Sequence, residues 1–517
     1  MESEERLSIS AKGSATVLQN IIGGISGLIA LFFIARNVPK GFYGMYAFVL
    51  SLYNLYLFMV DLGVSSAYIK RYTERKYSHD DLFNTYMSIK IVLTALIVIG
   101  SFLLVYAVLP LFGYRLFDAT TQSLFNTMLL WILFEGTVLS VLGSFIRANL
   151  SYVTINLISA SEAVARAILQ IIVALLYKSH MIEGILAAEL LLISFIISRA
   201  LNMGLLFLLS KRLIMRFKFS LNLEIIKDIF KFSIPLAISG AVIILSANID
   251  KIMLGWIFTS ADVADYNAVQ RYARFISNIA MGISQIFFVK VAIDVHRKSI
   301  PEIERYLRDW EETIAIILAP AIPLTYVLSD NLITIFLSNQ YVTASSTFFI
   351  LVLTYIFLAI RSPLSSTFLS FNKQWTAAGI AIFTNALNVV LNLLLIPRMR
   401  SFGAAFATFI SVGALGSLLT YLLLRDVGLK RLGVRSHLYL LLALPLGPLA
   451  YVLKPYLYRV FTFVPAVVLM YLGYLVLMRL LNVLDKEKFE IIMGMLSIRN
   501  IKRTFIRELE RIRNNSQ

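Results

Sequence analysis

An all-α, polytopic membrane protein is the fold class that three features of this sequence predict. Apolar runs of roughly 20 residues, long enough to cross a hydrocarbon core as a helix, recur along all 517 residues. Only 15% of residues are charged and the mean hydropathy is +0.79, whereas a soluble domain carries about 25% charged residues. No stretch between the runs is long enough for a folded soluble domain. Helices are expected because each satisfies its own backbone hydrogen bonds without water.

Fourteen spans are expected, at 14–36, 42–64, 86–109, 124–147, 153–177, 183–209, 233–257, 263–289, 313–337, 345–370, 375–397, 403–424, 437–453 and 461–480. The thirteenth is short and interrupted by Pro445 and Pro448. The charged start, MESEERLSIS, leads into a full-length apolar run and reads as a first span rather than a cleaved leader. Lys and Arg set the orientation. With the N-terminus inside, the inner segments up to span thirteen hold 24 of them, the C-terminal segment from Arg479 holds 9 more, and the outer loops hold 8. Both termini are therefore expected to be cytoplasmic, in the cell (plasma) membrane. The net charge of +17 then belongs mostly to cytoplasmic loops, and nucleic acid is not an expected partner. The absence of Cys excludes disulfides and thiolate chemistry. His79, His180, His296 and His437 all fall in loops or at a span edge, which argues against a buried metal centre. No cofactor or metal is expected.

Three inner segments are amphipathic: 221–232, 299–312 (with Ile303, Leu307 and Trp310 on one side) and the tail 485–517. Each is expected to lie in the membrane interface, drawn to anionic lipid by its Lys and Arg.

A faint internal repeat organises the spans. Asn37 to Tyr46 (NVPKGFYGMY) follows span one, and Phe258 to Tyr266 (FTSADVADY) follows span seven. Both are short outer hairpins leading into a polar or aromatic-rich helix, and both leading spans start inside. The repeat is then parallel, about an axis along the membrane normal. Two pseudo-symmetric six-helix lobes are expected, 1–215 and 216–425, around a central cavity. Two additional spans (426–484) and the basic tail (485–517) follow.

The most informative residues are Asn267, Arg271, Arg274, Asn278 and Gln285, which fall on one face of span eight. A cation in hydrocarbon costs at least about 2.5 kcal/mol on the mildest insertion scales. Two arginines within one turn therefore require water, an anion or counter-charges. At 1.5 Å per residue Arg271 and Arg274 lie roughly 12 and 16 Å below the outer surface. Lys251 and Asp250 lie in the outer third of span seven, and Arg166 lies well inside span five, four residues after Glu162. Away from span ends, six cations face four carboxylates, Glu135, Glu162, Glu189 and Asp250. The surplus suits an anionic ligand, and the guanidinium fork matches phosphate. Each residue also has a plain structural reading. Glu162 and Arg166 stand at i, i+4 and would neutralise each other. Asp250 or Lys251 would pair with another helix, and Asn385, Asn388 and Asn392 would join helices by hydrogen bonds. Arg36 and Lys40 would anchor the outer end, and Asp61 would cap or pair at the inner end.

Three segments resemble a known family. Ile34 to Gly63 (IARNVPKGFYGMYAF… to VDLG), Phe232 to Gly255 (FSIPL… to IDKIMLG) and Leu387 to Pro397 (LNVVLNLLLIP), with Phe402-Gly403-Ala404-Ala405 after it, are similar to the polysaccharide-transporter, or O-antigen flippase, family. That family belongs to the multidrug/oligosaccharidyl-lipid/polysaccharide exporter superfamily. Ala264, where the family has Gly, and Asp265 depart from its pattern. The resemblance implies a flippase that moves a polyprenyl-diphosphate-linked oligosaccharide to the outer leaflet by alternating access. The partners it implies are that glycolipid and polysaccharide assembly proteins. In that reading Arg271, Arg274, Lys251, Arg166, Asn267, Asn278 and Arg36 contact substrate, and Asp61, Asp250, Glu162, Glu135 and Tyr266 serve gating or coupling. A cation-coupled multidrug exporter would show the opposite charge balance. A membrane glycosyltransferase would need acidic residues in a sizeable outer loop, and the longest one, about 110–123, holds only Asp118.

Overall fold

The computed structural model describes residues 2–113, 117–148, 152–214, 217–275, 300–371, 373–426, 428–429 and 439–480. Among these, ten helical stretches are long and apolar enough to cross a membrane, or eleven if the bent pair Leu223–Val242 and Ile244–Ile257 is one span. The first six expected spans each have a helix: Gln19–Asn37, Lys40–Asp61, His79–Leu111, Ala119–Ala148, Ile155–Lys178 and Gly184–Leu208. Spans eleven and twelve form one stretch, Gln374–Arg425. Its 52 residues would make a rod of roughly 78 Å, far longer than a 30 Å core. The chain breaks at Arg400 (φ 50°, ψ −130°). There a Cβ on Gly403 would stand 2.4 Å from the Leu395 carbonyl oxygen, so only glycine lets the two arms meet. Span eight is described over 260–275, and span thirteen is reduced to 439–442 and Leu446–Leu453 around the expected Pro445 interruption. The count of fourteen is therefore not matched one for one.

The chain divides by contact density into two compact units. One holds Ala15–Ala268 and Val389–Ala404; the described remainder forms the other. Each has its own buried core.

In the first unit, the amphipathic segment expected on the lipid surface is the start of a long helix, Leu223–Ile257, capped by the Asn222 side chain. Its apolar stripe, Ile225 and Ile229, is buried against Val64, Tyr68, Leu82, Phe83 and Tyr86. Asp228, flanking the stripe, is held by Arg71 (2.7 Å) and Lys76 (3.0 Å), and Tyr77 donates to it at 3.2 Å. Hydrogen bonding to Asp228, then to Tyr77, holds the Lys76 amine above its ordinary range. The second unit repeats this arrangement. Ile303 and Leu307 of Ile300–Leu318 are buried against Leu364, Phe368, Ile380 and Leu424, and Trp310 is also buried. Both stripes therefore face protein. Hydropathy registers only that a stripe leaves water, and a helix core removes it from water as well as lipid does. The tail 485–517 lies outside the described residues.

Candidate functional site

The two repeat hairpins meet in the first unit. Lys40 Nζ lies 3.0 Å from Asp265 Oδ2, and Asn267 Nδ2 donates to the Tyr43 hydroxyl at 2.7 Å. A Cβ on Gly44 would fall 1.7 Å from the Ser260 carbonyl oxygen, so the helix after the first hairpin presses directly on the start of the second. Asp265 thus has a counter-charge in the other hairpin. Arg400 reaches Asp262 at 3.5 Å. Tyr266 donates a short hydrogen bond to Asp250, whose other oxygen accepts from Asn392 Nδ2 at 2.7 Å. Asp250 and Tyr266 are both buried, and Lys251 is 9% exposed. Arg36 is exposed, with its guanidinium 4.4 Å from the Phe32 ring centroid.

A second polar cluster lies among spans two to six. Lys90 Nζ lies 2.9 Å from Asp61 Oδ1 and is 1% exposed. Asp61 also accepts from the Ser65 hydroxyl and from the Gly63 amide. Farther along, Arg199 is the hub. It reaches Glu135 at 3.1 Å and Glu162 at 3.2 Å, and donates to the Tyr53 hydroxyl at 3.4 Å. Trp131 Nε1 also donates to Glu135, at 2.6 Å. Glu135 opens a π-helical turn, Glu135–Leu139, a rare form frequent at functional sites. Arg166 contacts Glu162 only at 3.8 Å. The expected i, i+4 pair is present, but Arg199 and Asn202 (2.5 Å) make the shorter contacts to Glu162.

The stripe on span eight has Asn267 buried, Arg271 partly buried and Arg274 exposed. The three are four and three residues apart on one helix, which places them on one face. Tyr272, beside them, donates to the Phe336 carbonyl at 3.1 Å. Asn267 belongs to the first compact unit, while Arg271 and Arg274 belong to the second. Asn278 and Gln285 lie outside the described residues. Asn388, on span eleven, donates to Thr408 at 3.1 Å, a helix-joining role.

Sequence reasoning passed over Lys90. The signal was available: Asp61 ends the second span and Lys90 lies near the start of the third, so both fall toward the same end of adjacent antiparallel helices. It also gave no role to Arg147, which faces the polar cluster from the end of span four.

Long apolar helices, a charged interior and paired hairpins define a multi-pass membrane protein. Residues 33–346 match the profile described as polysaccharide biosynthesis protein; this is more than half the chain, which therefore belongs to that family. Among solved structures, the chain is similar to the lipid II flippase MurJ in an inward closed conformation (TM-score 0.69, 18% identity, 90% of this chain and 99% of that one). It is also similar to an inward-facing MATE-family multidrug resistance transporter of the MOP superfamily (0.53, 15%, 79% and 96%). A third similar structure is a Vibrio cholerae MATE transporter (0.51, 16%, 82% and 99%). At these identities the likeness is one of fold, and it is a fold of transporters and flippases rather than of enzymes. No curated protein sequence matches the chain.

Proposed function

We propose that this chain is a flippase that carries a polyprenyl-diphosphate-linked oligosaccharide from the inner to the outer leaflet of the cell membrane. The observation that carries this reading is the pair Arg271 and Arg274 on one face of span eight, with Arg274 exposed. An exposed guanidinium in a span is tolerated where water or an anion meets it, and a diphosphate offers the oxygens its fork matches. Arg166 is engaged by Glu162, and Lys251 is nearly enclosed. The main weight therefore falls on Arg271 and Arg274, with Lys251, Arg166, Asn267, Asn278 and Arg36 as further contacts. Alternating access of the two six-span lobes is part of the proposal and rests on the parallel repeat. The outer hairpins act as one gate, with Asp250 and Tyr266 fastening it, and the Asp61 region acts as the other. The N- and C-termini are cytoplasmic in this reading. Polysaccharide assembly proteins are its expected partners, and anionic lipid lies under its basic segments.

The test is flipping of a short-chain lipid diphosphate oligosaccharide in reconstituted vesicles. The Arg271→Ala, Arg274→Ala double variant should lose transport while keeping its melting temperature. Lysine at both positions should restore part of it, since charge survives and the fork does not. Full transport by the alanine variant would refute the assignment.

A further inference from the structure

The first compact unit has a half-open cavity of about 320 Å³ among spans two to six, to which no described residue of the span-eight stripe contributes. This volume falls within the ~300–1,000 Å³ of small-molecule sites. Two carboxylates, Asp61 and Glu135, and three cations, Lys90, Arg147 and Arg199, line it. Lys90 answers Asp61 at 2.9 Å and Arg199 answers Glu135 at 3.1 Å. Arg147 is left over. It is exposed, and among the described residues it has no ion-pair or hydrogen-bond partner.

The rest of the polar wall is rich in short hydroxyls: Ser65, Ser66, Ser140, Ser144 and Ser159. Ser66 and Ser159 likewise have no partner among the described residues. Asn202 is 5% exposed and lines the same space. Its Nδ2 is committed to Glu162, which leaves Oδ1 without a partner, and the Nε of Arg199 is in the same condition. Both of these atoms are shut off from the cavity, so an occupant meets the accessible guanidinium and hydroxyls instead. A single uncompensated guanidinium selects one anionic group. Unused hydroxyls beside it select a ligand with hydrogen-bonding groups of its own.

We propose that this cavity binds a sugar phosphate, with Arg147 taking the phosphate and Ser66 and Ser159 taking ring hydroxyls. The same chemistry is present in a soluble hexose phosphate and in the sugar-phosphate end of a lipid-linked glycan. As a site for a soluble sugar phosphate it goes beyond the flippase reading, as a site for the lipid-linked glycan it rests on that reading, and in neither case does it depend on Arg271 or Arg274.

Calorimetric titration of the purified full-length chain with a set of hexose 1-phosphates tests it. The expected result is saturable binding by at least one of them, weakened roughly tenfold or more in Arg147→Gln, the loss of one charge-assisted contact. The Ser66→Ala, Ser159→Ala variant keeps every charge and should also weaken it. Arg398→Gln removes an exposed guanidinium elsewhere and should leave it unchanged. Arg147 has no partner to lose among the described residues, and the melting temperature of Arg147→Gln checks that the fold is kept. Competition with a short-chain polyprenyl diphosphate sugar separates the two sources: displacement assigns the lipid-linked glycan, and its absence assigns a soluble metabolite. Absence of saturable binding to the unaltered protein, or equal affinity in Arg147→Gln, would overturn the proposal. Either result leaves the span-eight assignment to stand or fall on its own transport assay.

Discussion

Lys90 Nζ lies 2.9 Å from Asp61 Oδ1, and the two partners are unequally placed: the lysine side chain is 1% exposed and the aspartate 32%. Removing one member of a buried ion pair leaves the other uncompensated, and the cost depends on how well water can reach the survivor. Asp61→Ala strands an enclosed ammonium and should cost about 3 kcal/mol, whereas Lys90→Met leaves a hydrated, still hydrogen-bonded carboxylate and should cost about 1–2 kcal/mol. Thermal unfolding of both variants in detergent checks the order. Equal losses would contradict it.

The two hairpins press on each other at backbone distance. Gly44→Ala places a Cβ against the Ser260 carbonyl oxygen, and backbone cannot move aside as a side chain can. Overpacking of this kind typically costs about 1–3 kcal/mol. The melting temperature should fall, and Gly27→Ala, where nothing lies within 4 Å, should leave it unchanged.

A crosslink can test whether those hairpins part during transport. An ideal Cβ on Gly41 lies 3.9 Å from Ser260 Oγ, so cysteines at the two positions come within reach of each other, and the chain has no native cysteine to compete. The Gly41→Cys, Ser260→Cys protein should flip substrate when reduced and stop when oxidised. Transport at the reduced rate by the oxidised protein would rule out a gate at this place.

The amphipathic helices give a fourth prediction. Ile229 and Leu307 are fully buried, whereas Leu223 is 70% exposed. Ile229→Ala and Leu307→Ala should each cost about 2–4 kcal/mol, and Leu223→Ala little. If anionic vesicles, rather than protein packing, held these stripes, all three changes would weaken lipid binding alike and leave the melting temperature in place.

These cases show what was readable in the sequence and why the rest was not. The helical membrane class followed from length and apolarity, and the break at Pro445 followed from residue type. The hairpin repeat led to segments that do touch, through Lys40, Tyr43, Gly44, Ser260 and Asp265. Glu162 and Arg166 were paired by their i, i+4 spacing, yet Arg199 from another helix makes the shorter bridge. Spacing along one helix carries no information about a neighbour 37 residues away. The stripes at 221–232 and 299–312 were legible as apolar faces, but their partner was not, because lipid and protein interior present the same apolar surroundings.

In the proposed function the chain moves a lipid-linked glycan and recognises it by the charged diphosphate. The most direct measurement compares two carriers of the same oligosaccharide in vesicles containing the purified chain: one a polyprenyl diphosphate, the other an uncharged polyprenyl ether. Arrival of the glycan at the opposite leaflet is read by an impermeant lectin. The diphosphate form should cross and the ether should not. The ether crossing as fast, or neither crossing above protein-free vesicles, would contradict the claim.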